Sequence, residues 1–381
     1  MARPLAELTR NAVDVLPEGE LERKLSLERP LRVKLGIDPT APDVHVGHAI
    51  PLQRMAAFQR AGHTGVLIVG DYTGRIGDPS GRSTERPVLS DEEIDSNAKR
   101  YFEQASQIID PEKTEVRFNG EWLGKLDFAE VVRLTRTITV ARLLERDDFE
   151  KRFAAKSPIS VSELLYPFMQ AYDSVAIRAD VELGGTDQLY NLLMGRDVME
   201  AYGLEPQVAL TVEYLDSWDG TGMSASRGNY IGLKEPPEQQ FGKAMRIPDS
   251  LLPQWYRLVM EREDVPDDPF QAKLELARFI VRRAWGEEAV AGAEQHFTRV
   301  VREGKAPDEV PEIEHPEEVV HLPALLADTF GQSRAYWRRV IDQGGVRVDG
   351  RVLDSYDVDT ASIAGEVIQA GKRQFLRIRA A

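Results

Sequence analysis

Two periods of apolar spacing alternate along the first 235 residues. Residues 31–37 (Leu-Arg-Val-Lys-Leu-Gly-Ile) have the character of a strand, and residues 49–61 place Ile50, Leu52, Met55 and Ala56 near helical spacing. A buried strand is predicted over 64–69, a helix over 91–109 with Ser90 as its N-cap, and a strand over 115–118. Helices over 128–146 and 161–172 follow, then a strand over 181–183, a helix to about residue 202 and a strand over 207–214. Strand and helix in this order predict an α/β fold, a parallel sheet with helices on both faces. Residues 1–30 read as a charged helical arm. After Glu235-Pro236-Pro237 the pattern is helical to about residue 304. Three prolines and six acids within 305–318 then read as a solvated linker that runs over 305–321. A final unit spans 322–381.

Composition narrows the chemistry. The 381 residues, 42% hydrophobic and 29% charged, suffice for two or three globular domains. The chain has no cysteine, which excludes disulfides, thiolate zinc sites and a cysteine nucleophile. No apolar run reaches membrane-spanning length and the N-terminus lacks a hydrophobic signal core, so a cytoplasmic protein without a membrane partner is expected. A net charge of −15 opposes broad nucleic-acid binding, and no DNA partner is expected. Residues 322–381 are the exception. They hold nine Lys and Arg against seven Asp and Glu, a net of +2.

Candidate chemistry begins where the first predicted strand meets its helix, from Gly36 to His48. Asp38, Thr40, His45, Gly47 and His48 all fall in this stretch. Two histidines three apart share a helix face, and a helix N-terminus offers free N–H groups to a phosphate. Gly47 lets a flat ring approach the backbone. On residues alone the pair also reads as half a zinc site or as solvated helix-start residues. Glycine-rich segments follow two later strands, at 70–81 and 184–185, and read either as tight turns or as ligand loops at strand ends. Neither a G-x-G-x-x-G nor a G-x-x-x-x-G-K-[ST] motif is present. Tyr166, Gln170 and Asp173 lie on one helical face, which is either a wet face or a polar binding face.

Asp38-Pro39-Thr40, then His45-Val46-Gly47-His48, resembles the first signature of class I aminoacyl-tRNA synthetases. The form is that of bacterial tyrosyl-tRNA synthetases with a short C-terminal domain. Val69 to Gly81, Leu165 to Asp173 and Leu183 to Gln188 are similar to further segments of that family. The resemblance implies a Rossmann-like catalytic domain (1–235), with a dimer-forming insertion at about 120–165. It also implies an α-helical anticodon-side domain (236–304) and, from residue 322, a small α+β S4-like RNA-binding domain. The implied reaction joins L-tyrosine to tRNA(Tyr) through a tyrosyl-adenylate made from ATP with Mg²⁺, with no tightly bound metal or organic cofactor. Thr40, His45, His48 and Arg227 would be catalytic. Gly36, Asp38, Asp78, Tyr166, Gln170, Asp173 and Gln188 would bind tyrosine, with Asp173 accepting from the phenol. His45, Gly47, His48, Gly185, Asp187, Met223, Ser224 and Ser226 would bind ATP. Arg334, Arg338, Arg339, Arg347, Lys372 and Arg373 would meet tRNA phosphates, with Trp337 and Phe375 nearby. A homodimer is implied.

Two departures stand out. The second class I signature reads Gly222-Met223-Ser224-Ala225-Ser226-Arg227, so both of its usual lysines are absent. Arg227 is the nearest substitute, with Arg75, Arg82 and Lys234 behind it. Lys34 stands where many relatives place a tyrosine that touches the substrate phenol. Three rivals follow: a paralogue that binds tyrosine or RNA but activates poorly, a tryptophan-loading sister enzyme, and a nicotinamide oxidoreductase without its fingerprint glycines.

Overall fold

A computed structural model describes residues 5–39, 43–78, 90–303, 305–307, 310–372 and 374–380. The chain divides into two compact units, Met1–Glu235 with Arg246–Leu276, and Pro236–Met245 with Ala277–Ala381.

The first unit is built on a six-stranded sheet in the order β1-β6-β5-β2-β3-β4. The strands are β1 Ala12–Leu16, β2 Arg32–Ile37, β3 Thr64–Val69, β4 Thr114–Phe118, β5 Val181–Gly185 and β6 Val208–Val212. β2 to β6 run parallel, and β1 is an antiparallel edge on β6. The chain leaves β2 first toward β3 and β4, and later returns to β5 on its other side. The junction of β2 and β5 is therefore a switch point, where the carboxyl ends of the strands open a crevice. β1 is a departure from the helical arm expected over residues 1–30. Five residues, Ala-Val-Asp-Val-Leu, carry too little periodicity to announce a strand, and the open edge of β6 supplies the pairing.

The four helices of the crevice are α1 Val46–Arg60, α2 Asp91–Ala105, α3 Val161–Ile177 and α4 Leu189–Ala201. Ser90 caps α2 as expected, accepting from the Glu93 N–H while Glu93 accepts from the Ser90 N–H. Ser160 and Glu163 close the same reciprocal box on α3. The helix expected over 128–146 breaks into Phe128–Thr135, Val140–Leu143 and a turn. Thr139 causes the break, because its hydroxyl accepts from the Arg142 N–H and restarts the chain as a new helix. Leu134, Ile138 and Leu143 pack this insertion against Phe168 of α3 and Met194 of α4.

In the second unit, Pro237–Ala244 and Glu288–His296 pack together, and a small sheet domain follows. The expected linker is part of that domain. β7 Glu312–His315 pairs parallel with β13 Gln374–Ala380, and β8 Val319–His321 pairs with β11 Asp357–Asp359. The β7 glutamates and Val319 of β8 face solvent while Ile313 and Val320 face inward, so a period-two strand pattern was hidden in an acid-rich run. β9 Val346–Val348, β10 Arg351–Val352 and β12 Val367–Ala370 complete the sheets. Trp337 and Ile341, from the helix Arg334–Asp342, lie in one core with Leu326, Val346, Val348, Ile368 and Leu376. Among the described residues no helix is long and apolar enough to cross a membrane.

Candidate active site

The mouth of α1 lies at the crevice. His45 is extended at the N-cap, and its N–H points to Nδ1 of His48 at 3.4 Å. The two rings stack at 3.7 Å between centroids and 17° between planes. Gly47 permits this, since a Cβ there would lie 3.0 Å from Nδ1 of His45. Burial pushes His48 down to about 4, and burial followed by the neighbouring His48 holds His45 well below its ordinary value. Both imidazoles are therefore neutral near pH 7. At this mouth they present dipoles, not cations.

Two elements brace this mouth. From α2, Asn97 donates to the Pro39 carbonyl, Gln104 accepts from the Val44 N–H, and Tyr101 lies against His48 at 6.1 Å between ring centroids. From the second signature, the Val46 N–H donates to the Ile231 carbonyl and the Leu233 N–H to the Val44 carbonyl. The two signatures are thus stitched together, with Met223 and Tyr230 beside Gly47 and His45. Buried Asn229 organises the loop between them. It accepts from the Ser224 N–H and donates to Asp219, Thr221 and the Gly222 carbonyl. Arg227 is exposed, its guanidinium 3.4 Å from the Gly222 carbonyl. Thr40, Arg82 and Arg373, and the side chain of Ser226, lie outside the described residues.

An acidic pocket lies between the sheet and α3. The Tyr166 hydroxyl donates to Asp38 (2.9 Å), and Thr73 donates to the other Asp38 oxygen (2.8 Å). Gly70 is required here, because a Cβ would sit 2.1 Å from that Asp38 oxygen. Burial, then Asp38 and Asp78, then Asp173 keep the Tyr166 hydroxyl protonated well past its usual range. Three carboxylates therefore bear on one point. Asp173 is buried and accepts from Trp122 Nε1 (2.8 Å) and Asn119 Nδ2 (3.3 Å). Burial pushes its carboxyl up to about 7, although Lys34, Trp122 and Asn119 each favour the ionised form.

The remaining polar residues are already engaged with one another. Gln188 donates to Asp78 (2.7 Å), and buried Arg146 lies 3.3 Å from the same carboxylate. Gln170 donates to Glu182 (3.2 Å) and accepts from Asn191 (2.9 Å). Asp187, at the end of β5, is raised by burial and accepts a hydrogen bond from Tyr214. A Cβ on Gly185 would touch both of them. Gly36 faces open space at the end of β2.

In the second unit Arg334, Arg338, Arg339, Arg347 and Lys372 are exposed. The three helix arginines leave the core on the outer face of their helix. Arg347 leaves on the outer face of β9, between inward-facing Val346 and Val348. Trp337 and Phe375 are buried in the core and are closed to bases, whereas Tyr336 is exposed.

Residues 26–296 match the family model of class I tRNA synthetases (W and Y). The chain belongs to this family. The tyrosine–tRNA ligase of Thermotoga maritima is 46% identical to it over 387 residues, covering 97% of this chain and 96% of its own length. That of Moorella thermoacetica is 46% identical over 396 residues, covering 99% and 96%. A C-terminally truncated mitochondrial tyrosyl-tRNA synthetase of Aspergillus nidulans shares the fold, with a TM-score of 0.62 and 22% identity over 76% of this chain and 92% of its own.

Within this synthetase, the first signature, the glycine loops and the α3 face come together at one crevice. Asn119, Trp122, Arg146, Asn191, Tyr214 and Asn229 escaped the sequence reading. Asn119 and Trp122 carried one usable signal, a polar cluster just past the end of a predicted strand. The others are set by tertiary contacts alone.

Proposed function

We propose that this synthetase is a tyrosine–tRNA ligase, which activates L-tyrosine with ATP and transfers it to tRNA(Tyr). The observation that carries the reading is Asp173, a buried acceptor at the inner end of the pocket, held by Trp122 and Asn119 where a phenol hydroxyl would end. Near-full-length relatives at 46% identity carry the tyrosine name, which favours tyrosine over tryptophan.

The chemistry follows from the groups present. A tyrosine carboxylate oxygen bonds to the α-phosphorus of ATP, the bond from that phosphorus to the bridging oxygen breaks, and pyrophosphate leaves. The attacking carboxylate is already ionised, so the protein supplies no nucleophile and no base. Its task is alignment and stabilisation of charge. The acids around Tyr166 suit the substrate ammonium, with Asp38, Asp78, Gln170 and Gln188 as its surroundings and Gly36 as the open floor. His45, His48 and Thr40 would line the phosphates and Arg227 would approach pyrophosphate. Gly47, Gly185, Asp187, Met223, Ser224 and Ser226 would surround the nucleoside. Mg²⁺ enters on the triphosphate, as part of the substrate.

The C-terminal sheet domain is read as the S4-like RNA-binding part, with Arg334, Arg338, Arg339, Arg347, Lys372 and Arg373 toward tRNA. A homodimer fits the insertion, where Phe128 is 82% exposed and Val140, Phe153 and Val161 are exposed beside it in sequence. A cytoplasmic location completes the reading.

The test is ATP–pyrophosphate exchange on the full chain. Tyrosine-dependent exchange well above background is expected. Exchange at background would favour the weakly activating paralogue, and exchange driven better by tryptophan would favour the sister enzyme.

A further inference from the structure

Lys34 and Glu182 are paired residues of adjacent parallel strands, β2 and β5, directly beneath the crevice. Their side chains meet at 2.8 Å and are 0% and 1% exposed. Replacing a buried ion pair by apolar residues is often neutral or stabilising, so burial of both charges calls for a reason beyond stability.

Their contacts supply one. Lys34 Nζ donates to the Gln170 carbonyl and to Ser174 Oγ, each at 2.8 Å. Glu182 accepts from Gln170 Nε2 and from Ser174 Oγ, each at 3.2 Å, and from Gln207. Gly195 of α4 leaves room for this, since a Cβ there would lie 2.6 Å from the Gln207 amide. The pair thus grips α3 at Gln170 and Ser174, the positions on either side of Asp173 along the helix. Two residues beyond Lys34 on the same face of β2 is Gly36, which opens the floor above the pair.

We propose that Lys34 and Glu182 are positioning residues for the amino-acid substrate: the pair anchors Gln170 and sets the charge environment in which Asp173 receives a phenol. This rests on the tyrosine-pocket reading above. The charged and titratable groups facing Asp173 are Lys34 from β2, Glu182 from β5, Tyr166 from α3 itself, and Asp38 and Asp78 acting through the Tyr166 site. Among them only Lys34 is a cation; its loss weakens the ionised carboxylate, and loss of Glu182 strengthens it.

The experiment measures kcat/KM for tyrosine in ATP–pyrophosphate exchange from pH 6 to 9, with KM for ATP in parallel, on full-length wild type, Lys34→Met, Glu182→Gln and the double variant. The ionised carboxylate is the stronger acceptor for a phenol, so activity falls on the acid side. That limb should move to higher pH by about one unit in Lys34→Met and to lower pH in Glu182→Gln. It should return near the wild-type position in the uncharged double variant, which keeps side-chain size and avoids a lone buried charge. KM for ATP should stay within about twofold throughout, because the pair touches no part of the nucleotide side. Limbs that stay fixed, or move the same way in both single variants, would overturn the proposal. Wild type without tyrosine-dependent exchange would overturn the pocket reading itself, and the proposal with it.

Discussion

Asp173 works against the fold that holds it, and Asp173→Asn should show this. Its carboxyl rises from an ordinary 3.8 to about 7 on folding, with burial as the first cause. Each unit is worth about 1.4 kcal/mol. Well below pH 3.8 the residue is protonated in both states and costs nothing. As pH rises, the unfolded chain ionises first, and the stability carried by the neutral folded carboxyl is lost progressively until the pH passes about 7. The loss amounts to about 2 kcal/mol at pH 5 and about 4 kcal/mol at pH 8. Asparagine has no such titration. It leaves one of the two donors, Trp122 Nε1 or Asn119 Nδ2, facing an amide N–H, at a cost of about 1–3 kcal/mol. That cost does not depend on pH. Chemical denaturation of wild type and variant at pH 5 and pH 8 therefore isolates the carboxylate. The variant should gain on wild type by about 2.5 kcal/mol between the two pH values. The same substitution removes an anionic acceptor for the phenol, worth about 1.5–3 kcal/mol, so kcat/KM for tyrosine should fall roughly 10- to 150-fold at pH 8. A stability gap equal at both pH values would refute the buried-carboxylate reasoning, and unchanged preference over phenylalanine would refute its role in recognition.

Three further outcomes are expected. Arg227→Ala should lower the exchange rate about tenfold or more with little change in KM for tyrosine, because Arg227 stands nearest to the missing signature lysines; an unchanged rate would move pyrophosphate stabilisation elsewhere. Arg338→Glu with Arg339→Glu should weaken tRNA charging strongly while tyrosine-dependent exchange is retained, and equal loss of both steps would contradict the assignment of this exposed face to tRNA. Phe128→Asp should shift the sedimentation of the full chain toward monomer, and an unaltered profile would place any dimer contact on another surface.

Long, strongly periodic segments were legible in the sequence, and so was chemistry confined to one stretch of chain. The parallel strands at 31–37 and 64–69, the α2 cap at Ser90, and the joint placement of His45, Gly47 and His48 all depend on neighbours within a few residues. β1 and β7 were missed because each is a short strand stabilised by an edge supplied from far along the chain. The floor of the pocket was missed for the same reason. Nothing near Trp122 in sequence marks it as the partner of Asp173, and Arg146 reaches Asp78 only because the insertion folds back on α3. Trp337 stands beside the basic residues in sequence, yet its helical spacing with Ile341 already puts it on the buried face.

The distribution of charge in the crevice explains why these missed residues matter. Asp38, Asp78 and Asp173 gather around Tyr166, while the mouth of α1 has two neutral imidazoles and the second signature lacks its lysines. On the proposed reading an ammonium would be drawn to the acids and a triphosphate repelled by them, which would sort the two substrates before any chemistry begins. The same acids would raise one another and lose their charge if they stood alone in a buried pocket. Arg146 lies 3.3 Å from Asp78, and Lys34 opposes, without cancelling, the burial that raises Asp173. Such cations carry no motif, because their positions are dictated by the acids they face and not by the chain on which they lie.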